Sequence, residues 1–494
     1  MRQVTEIEVK KRFYLDNPWW DINKTYTTGF KHKRAYFDGL LSLLTEKDIN
    51  RAIVLMGPRR VGKTVLLKQM IEDLISTKTI DPKSILYLSL DNPLYSNISL
   101  EKLFTYFLEE QSLKTNDAAF IFYDEIQYLP KWEVHLKTLV DSFPNVQFCV
   151  SGSAAAALKL KSNESGAGRF TDFLLPPLSF FEYCNFKNFI PDLSKADNPS
   201  QDIEKLNEKF VDYINYGGFP EAVFSDSIKN DYQRFIGQDV VDKVLLRDLP
   251  ALFGIADPQE LNRFFATIAY NSGEEFSYEN LSKSSGVAKN TIKKYLGFLE
   301  AAFLIKIIKR VDDTMRQFRR TTQFKIYLTN PSIRTALFGP VDPDEDIFGK
   351  LVETAVFCQH MHSSAITNNF YARWKGGEGE IDLVSIDPST QKPQMLIEIK
   401  WSDRTANNIA GIKPLITASK KNDLKSTIVL TKTHHQETTI SDIKVIFQPV
   451  AEYCYLIGIA YIEKFFAIGL HPSSATITDP KRFDKFLQPK TPTK

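Results

Sequence analysis

Cysteine is scarce in this sequence, and the four present are Cys149, Cys184, Cys358 and Cys454. They are far apart, form no C-x-x-C pair and have no histidine at metal-ligand spacing. This distribution argues against a disulfide framework and against a zinc site. Scattered cysteines of this kind are typical of a reducing compartment, and we therefore predict a cytoplasmic protein.

Long apolar runs and a strong net charge are also missing. No uninterrupted apolar stretch approaches the roughly 18 residues of a membrane-spanning helix, and the charged segment 1–12 has no signal-peptide core, so we expect no membrane partner. The net charge is only +2, so any binding to nucleic acid has to come from local basic patches. At 494 residues the chain is too long for one hydrophobic core, and its length predicts about three domains.

A glycine-containing turn between a predicted strand and a predicted helix is the strongest motif present. The apolar run Ala52–Met56 leads into Gly57-Pro-Arg-Arg-Val-Gly-Lys-Thr64, which fits the pattern G-x-x-x-x-G-K-[ST]. Backbone N–H groups of such a loop surround a phosphate, and the N-terminus of the following helix adds partial positive charge. The alternative is an ordinary strand-to-helix turn with a surface lysine. We predict that the residues of this loop bind ATP: Gly57, Pro58, Arg59, Arg60, Val61, Gly62, Lys63, Thr64 and Val65.

A second apolar run, Ala118–Tyr123, ends in the acidic pair Asp124 and Glu125. After a phosphate-binding loop, this pattern is typical of a buried strand that delivers one carboxylate to Mg²⁺ and another to the attacking water. Thr64 and Asp124 would then hold the metal. Lys63 would neutralise the β- and γ-phosphates, and Glu125 would orient the water. Without the loop upstream, a strand that ends in solvated charge would be the simpler explanation.

Two further residues are candidates for the hydrolysis step. Ser151 or Ser153 follows the predicted buried strand Val146–Val150 and would contact the γ-phosphate or the water, although either hydroxyl equally fits a cap of the next segment. Arg169 precedes a predicted fifth strand and would neutralise charge on the nucleotide of this subunit or of a neighbour. The second option requires a homo-oligomer. A plain surface arginine is the alternative.

Alternating strands and helices predict a multidomain α/β protein, with a parallel sheet that binds its ligand at the carboxyl ends of the strands. A polar stretch at 191–202, which contains Pro and Ser, marks a domain boundary. We predict six segments: an N-terminal packing segment, 1–50; the ATPase domain, 51–185; a helical lid or linker, 186–270; a winged helix-turn-helix, 271–311; a C-terminal α/β domain, 312–475; and a polar tail, 476–494.

The segment 271–311 contains two predicted helices separated by Gly286 and followed by a β-like run, which is the layout of a winged helix-turn-helix. Lys289, Lys293 and Lys294 lie at the start of the second helix, where a recognition helix meets DNA. Winged helices also bind proteins, and lysines are common on any solvated helix face. DNA and protein partners therefore both stay open.

Carboxylates and a lysine alternate along two predicted strands in the last third of the chain. Glu380 shares a face with Asp382, and Glu398 shares a face with Lys400 on the next strand. A helical pattern upstream carries Glu353. Two carboxylates can bind Mg²⁺ and activate water at a phosphodiester, while the lysine steadies the developing charge. The alternative is a half-buried hairpin with a solvated charged face.

These motifs together resemble a prokaryotic family of predicted AAA+ ATPases with a C-terminal domain of unknown function. The resemblance extends from about Asn17 to Leu430 and is carried by Asn17-Pro-Trp-Trp20, Gly57–Thr64, Asp124-Glu-Ile-Gln127, Ser151-Gly-Ser153, Gly168-Arg169, Pro177-Leu-Ser179, Gly217-Gly-Phe-Pro220, Thr291–Leu299, Glu353, Glu380-Ile-Asp382 and Glu398-Ile-Lys400. One departure is Asn330, which stands where relatives often have Asp.

The resemblance implies a RecA-like ATPase sheet of strand order 5-1-4-3-2, a winged helix and a domain similar to PD-(D/E)XK nucleases. In that nuclease motif, Asp382 and Glu398 would bind metal, and Lys400 would be the lysine that ends the motif. Glu353 would be the acid on the preceding helix. We predict an ATP-hydrolysing, Mg²⁺-dependent protein that acts on DNA and carries a nuclease site. The alternative is an ATP-driven switch or scaffold whose C-terminal domains only bind DNA or protein.

Overall fold

The computed structural model describes residues 5–21, 25–46, 50–152, 168–193, 199–312, 315, 322–374 and 379–467. Ser153 and the predicted tail, 476–494, lie outside these residues. Within them, the chain forms one sheet of five strands, one of six and one of three. Across the same residues, no helix combines the length and the apolar character needed to cross a membrane.

The first sheet is parallel, and its strands lie in the order β2-β3-β4-β1-β5. Counted from the β5 edge, this order is 5-1-4-3-2, the order that the resemblance implies. The interior strand β1, which lies between β4 and β5, is buried along its whole length, which explains its unbroken apolar sequence. The strands are β1 (Ala52–Met56), β2 (Ile85–Ser89), β3 (Ala119–Asp124), β4 (Val146–Gly152) and β5 (Phe170–Leu174).

The N-terminal segment covers the exposed edge of β2. The Asn17 side chain accepts a hydrogen bond from the Tyr87 N–H at 2.6 Å and donates one to the Tyr87 carbonyl at 3.0 Å. The indole N–H groups of Trp19 and Trp20 both donate to the Ile85 carbonyl. The Asn-Pro-Trp-Trp motif therefore satisfies edge groups that would otherwise be open to another strand.

Helices connect and flank the strands of this first unit. The helix Phe180–Phe186 has a capping box, in which Ser179 and Glu182 satisfy each other's backbone N–H groups. The α-helices of the unit are Glu6–Asp16, Phe37–Thr45, Lys63–Ser76, Leu100–Gln111, Trp132–Ser142 and Phe180–Phe186, and its 3₁₀ turns are Pro18–Trp20, Pro82–Ser84 and Ile126–Tyr128.

A helical region follows, as the sequence predicts for much of 186–270. Its centre differs from an ordinary α-helix, because two consecutive stretches are π-helical. The elements are the α-helices Pro199–Tyr216, Pro220–Phe224, Asp226–Asn230, Leu249–Phe253 and Pro258–Tyr270, and the π-helices Gln233–Asp242 and Val244–Asp248.

The next unit joins the helices Tyr278–Ser285 and Lys289–Ala301 to a three-stranded antiparallel sheet. Gly286 ends the first helix with a φ of 73°, a left-handed conformation that favours glycine. The sheet order is β6-β8-β7, formed by β6 (Glu275–Ser277), β7 (Ile305–Lys309) and β8 (Gln323–Leu328). Because β8 pairs with both other strands, the predicted boundary at 311 is too early.

The last unit contains a mixed sheet in the order β13-β14-β12-β11-β10-β9. Its strands are β9 (Asn369–Arg373), β10 (Glu380–Ile386), β11 (Pro393–Ile399), β12 (Ser426–Thr431), β13 (Gln436–Ile440) and β14 (Ile443–Pro449). Its helices are Asp346–His360, Arg404–Asn407, Lys413–Lys421 and Val450–Ala467, with 3₁₀ turns at Ser364–Asn368 and Ile409–Ile412. The helix Ser332–Phe338, between β8 and this unit, packs on the helical region instead. The antiparallel pairing of β10 with β11 brings the predicted acidic residues together.

Candidate functional site

The phosphate-binding loop connects β1 to the helix Lys63–Ser76. A Cβ at Gly57 would lie 2.2 Å from the carbonyl oxygen of Leu175, so only glycine fits there. Gly62 has a φ of 96°, which is also a glycine conformation. The buried Lys63 ammonium donates to the carbonyl oxygens of Gly57 at 2.9 Å and Pro58 at 2.7 Å. The backbone thus has the shape of a phosphate cradle, and the lysine lies folded over it.

Asp124 is the centre of a hydrogen-bond cluster at the end of β3. The hydroxyls of Thr64 and Tyr87 donate to one carboxylate oxygen at 2.6 and 2.9 Å, and Ser151 donates to the other. Thr64 and Asp124 therefore present neighbouring oxygen atoms, the ligand type that Mg²⁺ prefers. The sequence did not single out Tyr87, because a tyrosine within an apolar run signals only a buried strand.

Asp124 is buried, and its surroundings disfavour the ionised form of its carboxyl group. Burial and the neighbouring carboxylate of Glu125 raise the pKa of Asp124, although its three hydroxyl donors oppose the rise. Burial also lowers the pKa of Lys63 to about 8, against the attraction of Glu125 and Asp124. A bound cation would favour the ionised form of Asp124, as expected of a metal-binding carboxylate.

Glu125 follows directly in a left-handed backbone conformation, with a φ of 54°. Its N–H lies 3.4 Å from the Ser151 hydroxyl, and its carboxylate accepts a hydrogen bond from the Gln127 amide. Such strained residues are common at functional sites. The structure therefore brings Lys63, Thr64, Asp124, Glu125 and Ser151 together at one edge of the sheet.

The loop also contacts the helical region. Arg59 forms two hydrogen bonds with Asp248, and Arg60 pairs with Glu221 and Asp239. The Cβ position of Gly62 lies 4.0 Å from Pro220, the last residue of the Gly217-Gly-Phe-Pro220 motif. The predicted lid or linker is therefore in direct contact with the nucleotide site.

The same motif explains Asn330. A Cβ at Gly218 would lie 2.5 Å from the Asn330 side chain, so glycine is required for this close packing. The Asn330 amide oxygen accepts a hydrogen bond from the Ser332 N–H at 2.9 Å, and its nitrogen lies 3.3 Å from the Tyr213 hydroxyl. The asparagine has a packing role at this position.

Arg169 lies at the opposite end of the sheet from the nucleotide site. Its carbonyl accepts a hydrogen bond from Ala52, at the start of β1, whereas the loop follows Met56 at the end of β1. At roughly 3.3 Å per residue, the length of β1 keeps Arg169 about 13 Å from the loop. Its guanidinium instead pairs with Asp141 at 2.5 Å. A role in its own subunit's site is therefore wrong, and a role in a neighbour's site stays a prediction.

A second cluster lies in the last unit, where four carboxylates converge. Lys400 contacts Glu398 at 2.6 Å and Asp382 at 3.6 Å, so the predicted carboxylate and lysine set is assembled. Asp382 also accepts a hydrogen bond from the Ile399 N–H at 2.8 Å. Glu353, on the helix Asp346–His360, faces the same cluster and is buried.

Lys325 is the residue of this cluster that sequence analysis missed. It lies on β8, and its ammonium is 2.5 Å from Glu380, 3.3 Å from Glu353 and 3.8 Å from Asp382. A lone lysine within the otherwise apolar strand Phe324-Lys-Ile-Tyr-Leu328 was the available signal. Among the residues that the structure describes, no group of three or more His, Cys, Asp or Glu side chains has the arrangement of a metal site.

Burial and the neighbouring charges shift the pKa values of Glu398 and Lys325 in this cluster. Burial and the charge of Asp382 raise the pKa of Glu398 to about 8, although Lys400 opposes the rise. Burial alone would lower the pKa of Lys325, but the surrounding anionic groups raise it instead. Lys325 is therefore a charged internal counter-ion.

The three candidate DNA-binding lysines lie at the solvent-exposed start of the helix Lys289–Ala301. Lys289 pairs with Glu279 at 2.7 Å, and Lys293 lies over the Tyr278 ring at 5.3 Å from its centroid. Neither contact removes the side chain from solvent. The three charges thus form one exposed basic patch.

Comparison with known proteins identifies two matching family models. Residues 49–184 match the AAA domain, and residues 207–344 match a domain of unknown function (DUF8612). An uncharacterised protein of Haemophilus influenzae is 26% identical over 419 residues, which cover 83% of this chain and 96% of the relative. An uncharacterised protein of Methanocaldococcus jannaschii is 25% identical over 394 residues, which cover 76% of this chain and 80% of that protein.

Solved structures overlap with the chain over part of its length. The Walker-type ATPase PABY2304 of Pyrococcus abyssi is 16% identical, with a TM-score of 0.37, over 64% of this chain and 97% of its own. The Aeropyrum pernix ORC2 protein is 13% identical, also with a TM-score of 0.37, over 64% of this chain and 94% of its own. Overlaps this low carry no inference about function. The AAA match over residues 49–184 and the assembled loop and acid pair together support ATP binding and hydrolysis, and the ATPase unit of this chain is similar to AAA-type P-loop ATPases.

Proposed function

We propose that this chain is a Mg²⁺-dependent ATPase that acts on DNA. The observation that supports the reaction is the hydrogen bond between the Thr64 hydroxyl and the Asp124 carboxylate. It joins the two predicted magnesium ligands beside Lys63 and Glu125. Thr64 and Asp124 would hold Mg²⁺, which neutralises phosphate charge when bound, and Glu125 would orient the attacking water.

The DNA part of the proposal rests on the basic patch of Lys289, Lys293 and Lys294. Their position at the start of the second helix, after the Gly286 turn, is the position of a recognition helix. Lysines bind phosphates as point charges and carry little base specificity. We therefore propose contacts with the backbone of duplex DNA.

The first test is DNA affinity as a function of salt. Replacing Lys289, Lys293 and Lys294 by glutamate should weaken duplex binding about tenfold or more, and should reduce the slope of log affinity against log salt by about 1 per lysine. Fluorescence anisotropy of labelled duplexes of different sequence measures both effects, and sequence should matter little.

The matched control replaces three exposed lysines of the ATPase unit, Lys78, Lys114 and Lys137, by glutamate. This variant has the same net charge as the test variant. Equal DNA affinity of the two variants would contradict a specific role of the basic patch. Failure of the wild type to bind DNA, together with DNA-independent ATP turnover, would favour the switch or scaffold function.

A second candidate function is metal-dependent phosphodiester cleavage in the last unit. The observation that favours it is the contact of Lys400 with both Asp382 and Glu398. These carboxylates offer the oxygen ligands that Mg²⁺ or Mn²⁺ needs. Lys325 occupies the space between the acids and competes with such a cation, because like charges about 4 Å apart repel each other by roughly 1–4 kcal/mol near a protein surface.

Replacing Lys325 by methionine should therefore increase Mn²⁺ affinity about tenfold or more, and a metal-dependent rise in melting temperature should follow by linkage. Asp382→Ala should remove both the thermal shift and any DNA nicking. The measurements are melting temperature with Mn²⁺ or with chelator, and cleavage of supercoiled DNA.

The control is Lys350→Met, because the Lys350 side chain is partly exposed and its ion pair is with Glu353 alone among these acids. It should change Mn²⁺ affinity much less than Lys325→Met. If neither the wild type nor Lys325→Met responds to metal, the last unit is a binding module rather than a nuclease.

A further inference from the structure

Arg59 is the third residue of the phosphate-binding loop, and its guanidinium is held away from solvent. Its side chain is 13% exposed, and that of its partner Asp248 is 11% exposed. Nε and Nη2 of Arg59 donate to the two Asp248 carboxylate oxygens at 2.6 and 3.0 Å. This two-point geometry is the strongest kind of arginine and carboxylate contact. A loop residue is thus tied to the end of a π-helix, Val244–Asp248.

The guanidinium also lies within electrostatic range of the catalytic acid and the loop lysine. Burial alone would lower the pKa of Arg59, but Asp248 raises it, and the Glu125 carboxylate and the Tyr128 hydroxyl add to the rise. In the other direction, the charge of Arg59 contributes to the lowered pKa of Lys63, after the larger effect of burial. Arg59 is itself part of the loop and directly follows Pro58, whose carbonyl oxygen accepts a hydrogen bond from the Lys63 ammonium at 2.7 Å. Because the lysine of such a loop contacts the β- and γ-phosphates, the Arg59 side chain starts beside the position of those phosphates.

The other candidate arginines of the ATPase unit have different surroundings. Arg169 lies at the far end of the sheet. Arg34 is bound to Glu182 and to two backbone carbonyls, and Arg60 contacts Glu221 and Asp239. Of these arginines, Arg59 is the one that is both part of the loop and shielded from solvent, since the Arg60 side chain is 33% exposed and the Arg59 side chain 13%.

We propose that Arg59 is a catalytic arginine that acts within its own subunit and that Asp248 binds its guanidinium when the loop is empty. This inference rests on the proposed ATPase function. On ATP binding, the guanidinium exchanges one oxyanion for another, because a γ-phosphate oxygen replaces the Asp248 carboxylate. Asp248 is then released from the loop, whereas the contacts of Arg60 with Glu221 and Asp239 continue to join the loop to the helical region.

The contribution of Arg59 belongs to the transfer step. The water oxygen forms a bond to the γ-phosphorus while the bond from phosphorus to the bridging oxygen breaks. ADP leaves with the electron pair of that bond, and the water proton passes by way of Glu125 to solvent. Negative charge spreads over the non-bridging oxygens in the transition state. Arg59 stabilises this charge by donating two hydrogen bonds from its N–H groups. ATP binding depends mainly on the backbone cradle and Lys63, so it should survive the loss of Arg59.

The experiment compares ATP turnover and nucleotide affinity in four full-length proteins: wild type, Arg59→Ala, Asp248→Asn and Arg247→Ala. Arg59→Ala should lower turnover by about 10³-fold, as arginines of this kind do, and should change the Kd of a fluorescent ATP analogue less than about threefold. Added guanidinium ion should restore part of the turnover. Asp248→Asn should raise turnover several-fold, since it weakens the competing partner. Arg247→Ala is the control, because Arg247 is an exposed neighbour of Asp248 and should behave as wild type.

The outcomes separate this inference from the function on which it rests. A wild type that binds ATP but does not hydrolyse it overturns both. An active wild type with an equally active Arg59→Ala protein overturns the role of Arg59 alone. Loss of nucleotide binding in a folded Arg59→Ala protein also overturns it, because Arg59 would then act in ground-state binding. Asp248→Asn tests independently whether Asp248 competes with the nucleotide for the Arg59 guanidinium, and unchanged turnover in that variant contradicts this competition.

Discussion

Replacing Lys63 by alanine is expected to abolish ATP binding, whereas Glu125→Gln should retain binding and lose turnover by about 100-fold or more. The physical reason is that Lys63 is the buried cation of the loop, while Glu125 only orients and deprotonates water. Isothermal titration with ATP and Mg²⁺, followed by a phosphate-release assay, separates the two effects.

The control for Lys63 is Lys78→Ala, which removes an exposed lysine just beyond the same helix. That variant should bind and hydrolyse ATP as wild type does. Equal turnover in wild type and Glu125→Gln would contradict the assignment of Glu125. ATP binding by Lys63→Ala at wild-type affinity would contradict the assignment of the loop.

Breaking the buried ion pair between Arg34 and Glu182 is expected to have the largest effect on stability. Both side chains are almost fully buried, and the guanidinium makes two hydrogen bonds to the carboxylate at 2.7 and 3.0 Å. Arg34 also donates to the carbonyls of Val61 in the loop and Pro176 after β5. Arg34→Met should destabilise the protein by about 3–5 kcal/mol, because it leaves an unpaired buried carboxylate. Chemical denaturation measures this difference.

The effect should depend on pH in a defined direction. Burial alone would raise the pKa of Glu182, but Arg34 outweighs burial and the net pKa is lowered from its usual 4.5. A lowered folded-state pKa stabilises the protein above the unfolded pKa, and this contribution is lost as pH falls through the folded value. The difference in unfolding free energy between wild type and Arg34→Met should therefore be full where Glu182 is ionised in both proteins. It should narrow as pH falls through the higher pKa of Glu182 in the variant toward its lowered pKa in wild type.

A neighbouring ion pair provides the control. Lys33 pairs with Asp73 at 3.4 Å, and its side chain is 46% exposed. Exposed pairs of this kind contribute about 0–1 kcal/mol, so Lys33→Met should change stability little. An Arg34→Met protein as stable as Lys33→Met would contradict the role of the buried pair.

Local sequence signals predicted much of the fold. β1 is an unbroken apolar run, β3 and β4 are mostly apolar, and the loop glycines have the conformation or close contacts that require glycine. Alternation along two strands also placed Glu380 with Asp382 and Glu398 with Lys400 correctly. These features depend on neighbours within a few residues, so they can be recognised without knowledge of the rest of the chain.

The contacts that the sequence could not predict join distant segments. Arg34 and Glu182 are 148 residues apart, and Arg59 and Asp248 are 189 apart. Nothing in the spacing of such residues indicates that they meet, because the packing of helices on the sheet decides it. The π-helical geometry that carries Asp248 likewise has no signal in the apolar periodicity of its segment.

By itself, the sequence determined the strands of the first sheet, the phosphate-binding loop and the acids at the strand ends, because backbone sterics and the burial period act locally. Only the tertiary structure decided how the charged groups are partnered. It places Arg169 at the far end of the sheet, Lys325 among the acids of another unit and Arg59 against Asp248. Strand order, register and the docking of helices decide these positions, and each depends on segments far apart in the chain.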